Sequence, residues 1–243
     1  MMLQSNKPYF NHKLTQYGGI EPFFYSNINF EWCKKLQSNY ETIKNEFINV
    51  YTNNSENKKA TEKFSLDKQN GWTQAELLIY GLWKEKNIKL FPQTYELIKN
   101  IKNISTCYFS ILTPNTQIHP HIGDTDAYYR FHLGLIIPKG LPECGIQVGS
   151  EKRDWKENEF TIFNDVYKHT AWNNTNEIRV VLIIDILRDF EDITKKEVEA
   201  NVLTAIAYSR INKHLYWLFE FTPKTLTRLI IFILKQVFLL KLR

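Results

Sequence analysis

Cysteine, glycine and long apolar runs are all scarce in this 243-residue chain. Three cysteines, Cys33, Cys107 and Cys144, are too few and too widely spaced for a disulfide framework or a thiolate zinc site. A reducing compartment is the simplest setting, and the three are expected to be small buried hydrophobes. Nine glycines exclude a collagen-like or Gly-rich low-complexity chain. No stretch of about 18 uncharged apolar residues occurs, and the opening MMLQSNKPYFNHKL lacks the apolar core of a secretory leader. The expected location is therefore cytoplasmic. Charge of one sign is also missing from most of the chain. Lys224, Arg228, Lys235, Lys241 and Arg243 meet no acid after residue 222, which leaves residues 1–222 balanced and places the whole net charge of +5 in the tail. That distribution argues against a basic face tracking nucleic acid along the main body and points to an anionic surface met by the C-terminus alone.

What is abundant is aromatic. Sixteen Phe, 13 Tyr and 6 Trp in a chain of this length predict a sheet-rich globule with one large core. Residues 28–50 carry Phe30, Leu36, Ile43, Phe47 and Ile48 at mostly helical spacing and are expected as a first helix. The polar segment 52–70 reads as a loop, and Pro92 is placed to open a short helix through Tyr95, Leu97 and Ile98. Between Cys107 and Leu187 come the short apolar runs CYFSIL, FHLGLII, GIQVG, EFTIF and RVVLIIDIL, separated by turn residues and a polar loop at 164–176. That pattern predicts an antiparallel sandwich or barrel. Residues 195–243 return to helical spacing, and no internal repeat is seen.

Four of the six histidines, His119, His121, His132 and His169, lie between Ser110 and Arg179, together with Arg130 and Arg179. Imidazoles projected inward from a small barrel suit a divalent metal with open positions. The separation of His121 from His169 fits ligands on separate strands and excludes a helical H-E-x-x-H site. A guanidinium in an apolar strand needs an anion that matches its fork. Because the strands around Arg130 and Arg179 contain few acids, a bound small anion is the expected partner, with structural pairing to Asp126, Asp165 or Asp185 as the alternative.

The run PHIGDTDAYYRFHLGLIIP, then CGIQVGSEKRDW, then FTIFNDVYKHTAWNNTNEIRVVLIIDIL resembles the aspartyl/asparaginyl β-hydroxylase family of Fe(II)- and 2-oxoglutarate-dependent dioxygenases, which includes bacterial lipid A hydroxylases. The resemblance extends upstream through FSILTPNTQIHPH, GWTQAELLIYG and EPFFYSNINFEW, over about residues 20–188. It implies a mainly β protein, a double-stranded β-helix (jelly roll) with N-terminal helices over residues 1–190, and the helical spacing beyond it reads as a C-terminal helical tail over 191–243. The resemblance also implies an enzyme in which His121 and His169 ligate iron. Arg130 and His132 would meet the C1 end of 2-oxoglutarate, Arg179 and Ser110 its distal carboxylate, and Trp72 the pocket wall. The third cofactor would be O2. In the general pattern of such oxygenases a carboxylate two residues after the first histidine completes the metal triad. Here that position is Gly123, a gap the family shares, with water, Asp124 or Asp126 as the remaining oxygen donors. A small residue there also marks halogenating relatives. His119 is assigned a structural or substrate-side place.

The substrate expected from these features is a lipid A acyl chain or another membrane-proximal molecule. An aspartyl or asparaginyl side chain, a free small molecule, and a non-catalytic binding protein are the alternatives. The tail LTRLIIFILKQVFLLKLR is too short and too interrupted by Lys235 to span a bilayer, yet too apolar to stand alone. It is expected to pack on the barrel or a second subunit, or to make peripheral contact with an anionic membrane face.

Overall fold

A computed structural model describes residues 7–11, 17–19, 21–26, 28, 30–56, 71–219 and 224–242. Among the described residues eleven strands form two antiparallel sheets. The strands are β1 (Phe24–Tyr25), β2 (Trp72–Ile79), β3 (Leu82–Trp83), β4 (Ile104–Leu112), β5 (Thr116–His121), β6 (Tyr128–Ile136), β7 (Cys144–Val148), β8 (Glu151–Arg153), β9 (Phe160–Phe163), β10 (His169–Asn173) and β11 (Arg179–Leu187). The larger sheet runs β1-β9-β6-β11-β4-β2-β3 and the smaller β5-β10-β7-β8. This is the double-stranded β-helix expected from the sequence, mainly β with flanking helices.

The largely apolar character of β4 and β11 follows from burial on both faces, since every residue of each is buried. Side chains alternate across a strand. Cys107, Phe109 and Ile111 of β4, Phe131, Leu133 and Leu135 of β6, and Val180, Leu182 and Ile184 of β11 therefore all enter the core beneath the N-terminal helices. The intervening residues turn into the space between the sheets. There Tyr108, Val181 and Ile183 pack with Ile146, Trp155 and Phe163, and the same alternation delivers Ser110, Arg130, His132, Arg179 and Asp185 to the interior.

The helix expected over 28–50 is two helices, α1 (Glu31–Ser38) and α2 (Tyr40–Glu56), divided at Asn39. Leu36, Ile43 and Phe47 nonetheless share one fully buried face. Residues 52–56 belong to the end of α2 rather than to a loop, and the remainder of that expected loop, 57–70, lies outside the described residues. Helix α3 (Glu85–Ile88) is a single turn. Pro92 begins α4 (Pro92–Ile98). Its first turn is held by Glu46 of α2, whose carboxylate accepts from the Gln93 and Thr94 amides at 2.7 and 2.9 Å. The expected polar loop 164–176 is corrected at its centre, where HTAWN forms β10 with His169, Ala171 and Asn173 turned inward. Two of its three interior positions, His169 and Asn173, are polar, so the sequence shows no apolar run.

Helix α5 (Lys195–Phe219) starts at a reciprocal cap. The Glu197 carboxylate accepts from the Thr194 amide at 2.9 Å, and the Thr194 hydroxyl accepts from the Glu197 amide at 3.3 Å. Val198 and Val202 bury against Phe10, Tyr128 and Leu187. Helix α6 (Lys224–Lys241) folds back on α5 through Phe238, Leu239 and Leu242, which meet Ala200 and Leu203. No helix among the described residues is long and apolar enough to cross a membrane. All three cysteines are buried and free.

Candidate active site

The site lies between the two sheets. His121 closes β5 and His169 opens β10, and the two are direct antiparallel partners, which brings their ring centroids to 4.1 Å. His169 is buried, whereas His121 sits at the rim. Each Nδ1 faces a backbone carbonyl two residues earlier, His119 at 2.9 Å and Tyr167 at 2.8 Å. A carbonyl only accepts, so Nδ1 carries the proton in both rings and each Nε2 keeps its lone pair. Burial, reinforced by the charge of its neighbour His121, pushes the His169 pKa down to about 3. Burial also lowers that of His121. Two neutral imidazoles with fixed tautomers are the state a metal ion requires. Among the described residues no third His, Cys, Asp or Glu joins them in a metal-holding group.

Further in stands Arg179, 1% exposed. Its Nη1 donates to the Ser110 carbonyl at 3.2 Å and to the Ser110 hydroxyl at 3.4 Å. The Trp155 ring lies 4.7 Å from the guanidinium carbon, and Nε has no hydrogen-bond partner among the described residues. Burial, opposed by no carboxylate, draws its pKa down to about 10. A buried guanidinium held only by neutral groups is costly unless an anion joins it. The Ser110 hydroxyl also accepts from Trp72 Nε1 at 3.0 Å, and the Trp72 ring lies 6.3 Å from that of His121. Beside them His132 accepts at Nδ1 from Trp155 Nε1 at 3.2 Å, which leaves the proton on Nε2, and Nε2 is unpartnered. Burial and the charges of Arg130 and Arg179 hold this imidazole neutral, well below the usual histidine range. Ser110, His121, Arg130, His132, His169 and Arg179 all line one cavity.

Arg130 departs from the sequence expectation of a cation lacking acidic neighbours. Asp185, directly opposite in register on β11, receives Nε and Nη2 at 2.8 Å each, and Asp165 meets Nη1 at 2.8 Å. Burial opposes its charge, but the two carboxylates outweigh burial and raise its pKa well above the ordinary range. Asp165 also fills the space beside Gly123, where a Cβ would come within 2.5 Å of Oδ2. Asp124 and Asp126 are engaged elsewhere, by the Tyr80 hydroxyl at 3.2 Å and the Tyr9 amide at 2.7 Å. The residues that reading the sequence under-weighted are thus Asp165, Asp185 and Trp155. Asp185 had a visible signal, as the lone acid in RVVLIIDIL on the same strand face as Arg179.

The family model described as aspartyl/asparaginyl beta-hydroxylase matches residues 37–189, well over half of the chain. The chain belongs to this family. The match begins after the opening EPFFYSNINFEW and covers every site residue described above. Within the aspartyl/asparaginyl β-hydroxylase family, a Rhizobium tropici relative named ornithine lipid ester-linked acyl 2-hydroxylase is 32% identical over 69% of this chain and 61% of its own length. The human aspartyl/asparaginyl beta-hydroxylase is 30% identical over 64% of this chain and 21% of its own length. Aspartate beta-hydroxylase domain-containing protein 2 of Xenopus tropicalis is 29% identical over 68% of this chain and 46% of its own length. The chain therefore spans under two thirds of the curated relatives it matches.

Proposed function

We propose that the protein is an Fe(II)- and 2-oxoglutarate-dependent hydroxylase that acts on an unactivated carbon of a lipid acyl chain. The observation that carries this reading is Arg179, a buried guanidinium with an unpartnered Nε and no carboxylate, in the same cavity as two side-by-side neutral imidazoles. Such a set calls for a metal at one end and an anion at the other. His121 and His169 would hold the iron through Nε2. Bound iron supplies activation of O2 coupled to oxidative decarboxylation of 2-oxoglutarate to succinate and CO2.

The chain's own residues hold and orient the cosubstrate. Arg179 and the Ser110 hydroxyl receive its distal carboxylate, with the Trp72 indole fixing the hydroxyl. The free Nε2–H of His132 donates to the other end, its tautomer set by Trp155. Arg130, its fork occupied by Asp185 and Asp165, anchors Asp165 beside Gly123. There Asp165 can accept a hydrogen bond from water at the position the missing carboxylate leaves. A carboxylate in that space repels a halide, which favours hydroxylation over halogenation.

The acyl-chain substrate is supported by the Rhizobium tropici relative and the apolar C-terminal helix. The human relative supports an aspartyl or asparaginyl side chain as the second reading. The test is incubation of iron-loaded protein with 2-oxoglutarate and O2 in the presence of a lipid extract, peptide pools or small metabolites. Succinate release coupled to a gain of one oxygen atom in an acyl chain is expected. Coupled oxygenation only of a peptide overturns the lipid assignment, and iron and 2-oxoglutarate binding with no succinate in any mixture overturns the enzyme.

A further inference from the structure

Helix α6 satisfies its packing on one face and leaves an apolar stripe on the other. Phe238, Leu239 and Leu242 bury against α5 and the β3 edge, with Ala200, Leu203 and Leu82. On the opposite side Leu226, Leu229, Ile233, Val237 and Leu240 follow one another at spacings of three and four, and each is at least 41% exposed, Leu240 at 75%. These spacings keep them on one line of the helix, a stripe about 20 Å long. Phe232, 58% exposed, widens it. Arg228 lies next to Phe232 around the helix and Lys241 next to Val237, so a cation flanks the stripe on each side, and both are exposed. The helix contains no acid.

We propose that α6 docks in the surface of an anionic lipid bilayer, with this stripe among the acyl chains and Arg228 and Lys241 at the headgroups. Charge decides between bilayer and second copy. Self-association through the stripe would bring two acid-free helices carrying Arg228, Lys235 and Lys241 against each other, whereas an anionic surface neutralises those same charges. The main body balances to zero, so the attraction is local to this helix. The same hairpin forms one wall of a 610 Å³ cleft lined by Tyr208, Ile231 and Lys235, whose far side includes Asp124, three residues after His121. Docking through α6 would hold that cleft near the bilayer. The inference stands apart from the catalytic reading, because it concerns binding and not turnover.

The test is co-sedimentation of the full chain with vesicles of phosphatidylglycerol and phosphatidylcholine, against vesicles of phosphatidylcholine alone. Partition to the anionic vesicles is expected, weakened by salt but not abolished. The variant Leu229→Glu/Ile233→Glu should lose partition by about tenfold or more, and Arg228→Glu/Lys241→Glu by on the order of tenfold. All four positions are exposed, so circular dichroism and melting should be unchanged. Retention of the full chain in the supernatant overturns the proposal. So does equal sedimentation of the wild type and both variants, or a dimer mass that Leu229→Glu/Ile233→Glu returns to monomer, which would make the stripe a subunit interface. Should the stripe variant melt early, the charge variant alone decides.

Discussion

The carboxylate of Asp165 occupies the volume in which a side chain on Gly123 would begin, with 2.5 Å between its Oδ2 and the position of a Cβ. Gly123 also donates its amide to the Asp165 carbonyl at 2.7 Å, so the two segments are locked together at backbone level. The space beside Gly123, two residues after His121, is thus filled by a carboxylate four residues before His169, held there by Arg130.

Gly123→Ala should therefore displace Asp165, and the cost is steric, since Gly123 is outside the left-handed region. Destabilisation of about 1–3 kcal/mol is expected from overpacking. In an Asp165→Ala background the same change should be nearly neutral. Urea unfolding of the four forms gives the coupling directly, and additive losses would mean that the contact is not what restricts position 123.

Arg179→Ala should weaken 2-oxoglutarate binding by about 2–5 kcal/mol while iron affinity stays near the wild type, because the proposed arrangement sets the guanidinium against the anion and not the metal. Calorimetric titration of the iron-loaded variants with 2-oxoglutarate separates the two. Unchanged 2-oxoglutarate affinity would make Arg179 a structural residue, despite its unpartnered Nε.

Trp155→Phe keeps an aromatic ring over Arg179 but removes the indole donor that fixes the His132 tautomer. Free to place its proton on either nitrogen, His132 becomes a less reliable donor, and 2-oxoglutarate affinity should fall by about 1 kcal/mol. A nitrogen-detected NMR experiment on the imidazole reads the tautomer independently of affinity. A persistent Nε2–H form in the variant would show that something other than Trp155 sets it.

The strands 107–112, 131–137 and 179–187 were legible because most of their residues on both faces are buried, which writes a largely apolar run. Strand β10 was not, since His169 and Asn173 occupy interior positions and break the pattern. His121 and His169 were found through motif resemblance, and their adjacency depends on the β5–β10 register, which spacing does not reveal. Arg130 shows the limit most clearly. Its partner Asp185 lies 55 residues away and is opposite only once β6 and β11 pair. The tail's helical period was visible, but only the folded hairpin shows which face Phe238 and Leu242 cover and which stays open.

Glu199 is 3% exposed and meets Lys195 at 3.4 Å, and burial, only partly offset by that cation, raises its pKa. A carboxyl whose folded pKa exceeds its unfolded value contributes stability that is complete below the unfolded pKa. That contribution is lost as pH rises through the folded pKa. Glu199→Gln should therefore match the wild type near pH 4 and exceed it in stability at pH 8. Urea midpoints across that range check the sign; a variant less stable at pH 8 would mean that the Lys195 pair outweighs desolvation.

The central claim is that His121 and His169 alone anchor the metal. Anaerobic Fe(II) titration of the wild type, His121→Ala and His169→Ala tests it most directly. One Fe(II) per wild-type chain and loss of binding in each variant, with circular dichroism and melting preserved, is the result expected of a site with two protein ligands. If either variant still took up one Fe(II) at near wild-type affinity, the two-histidine centre would be contradicted.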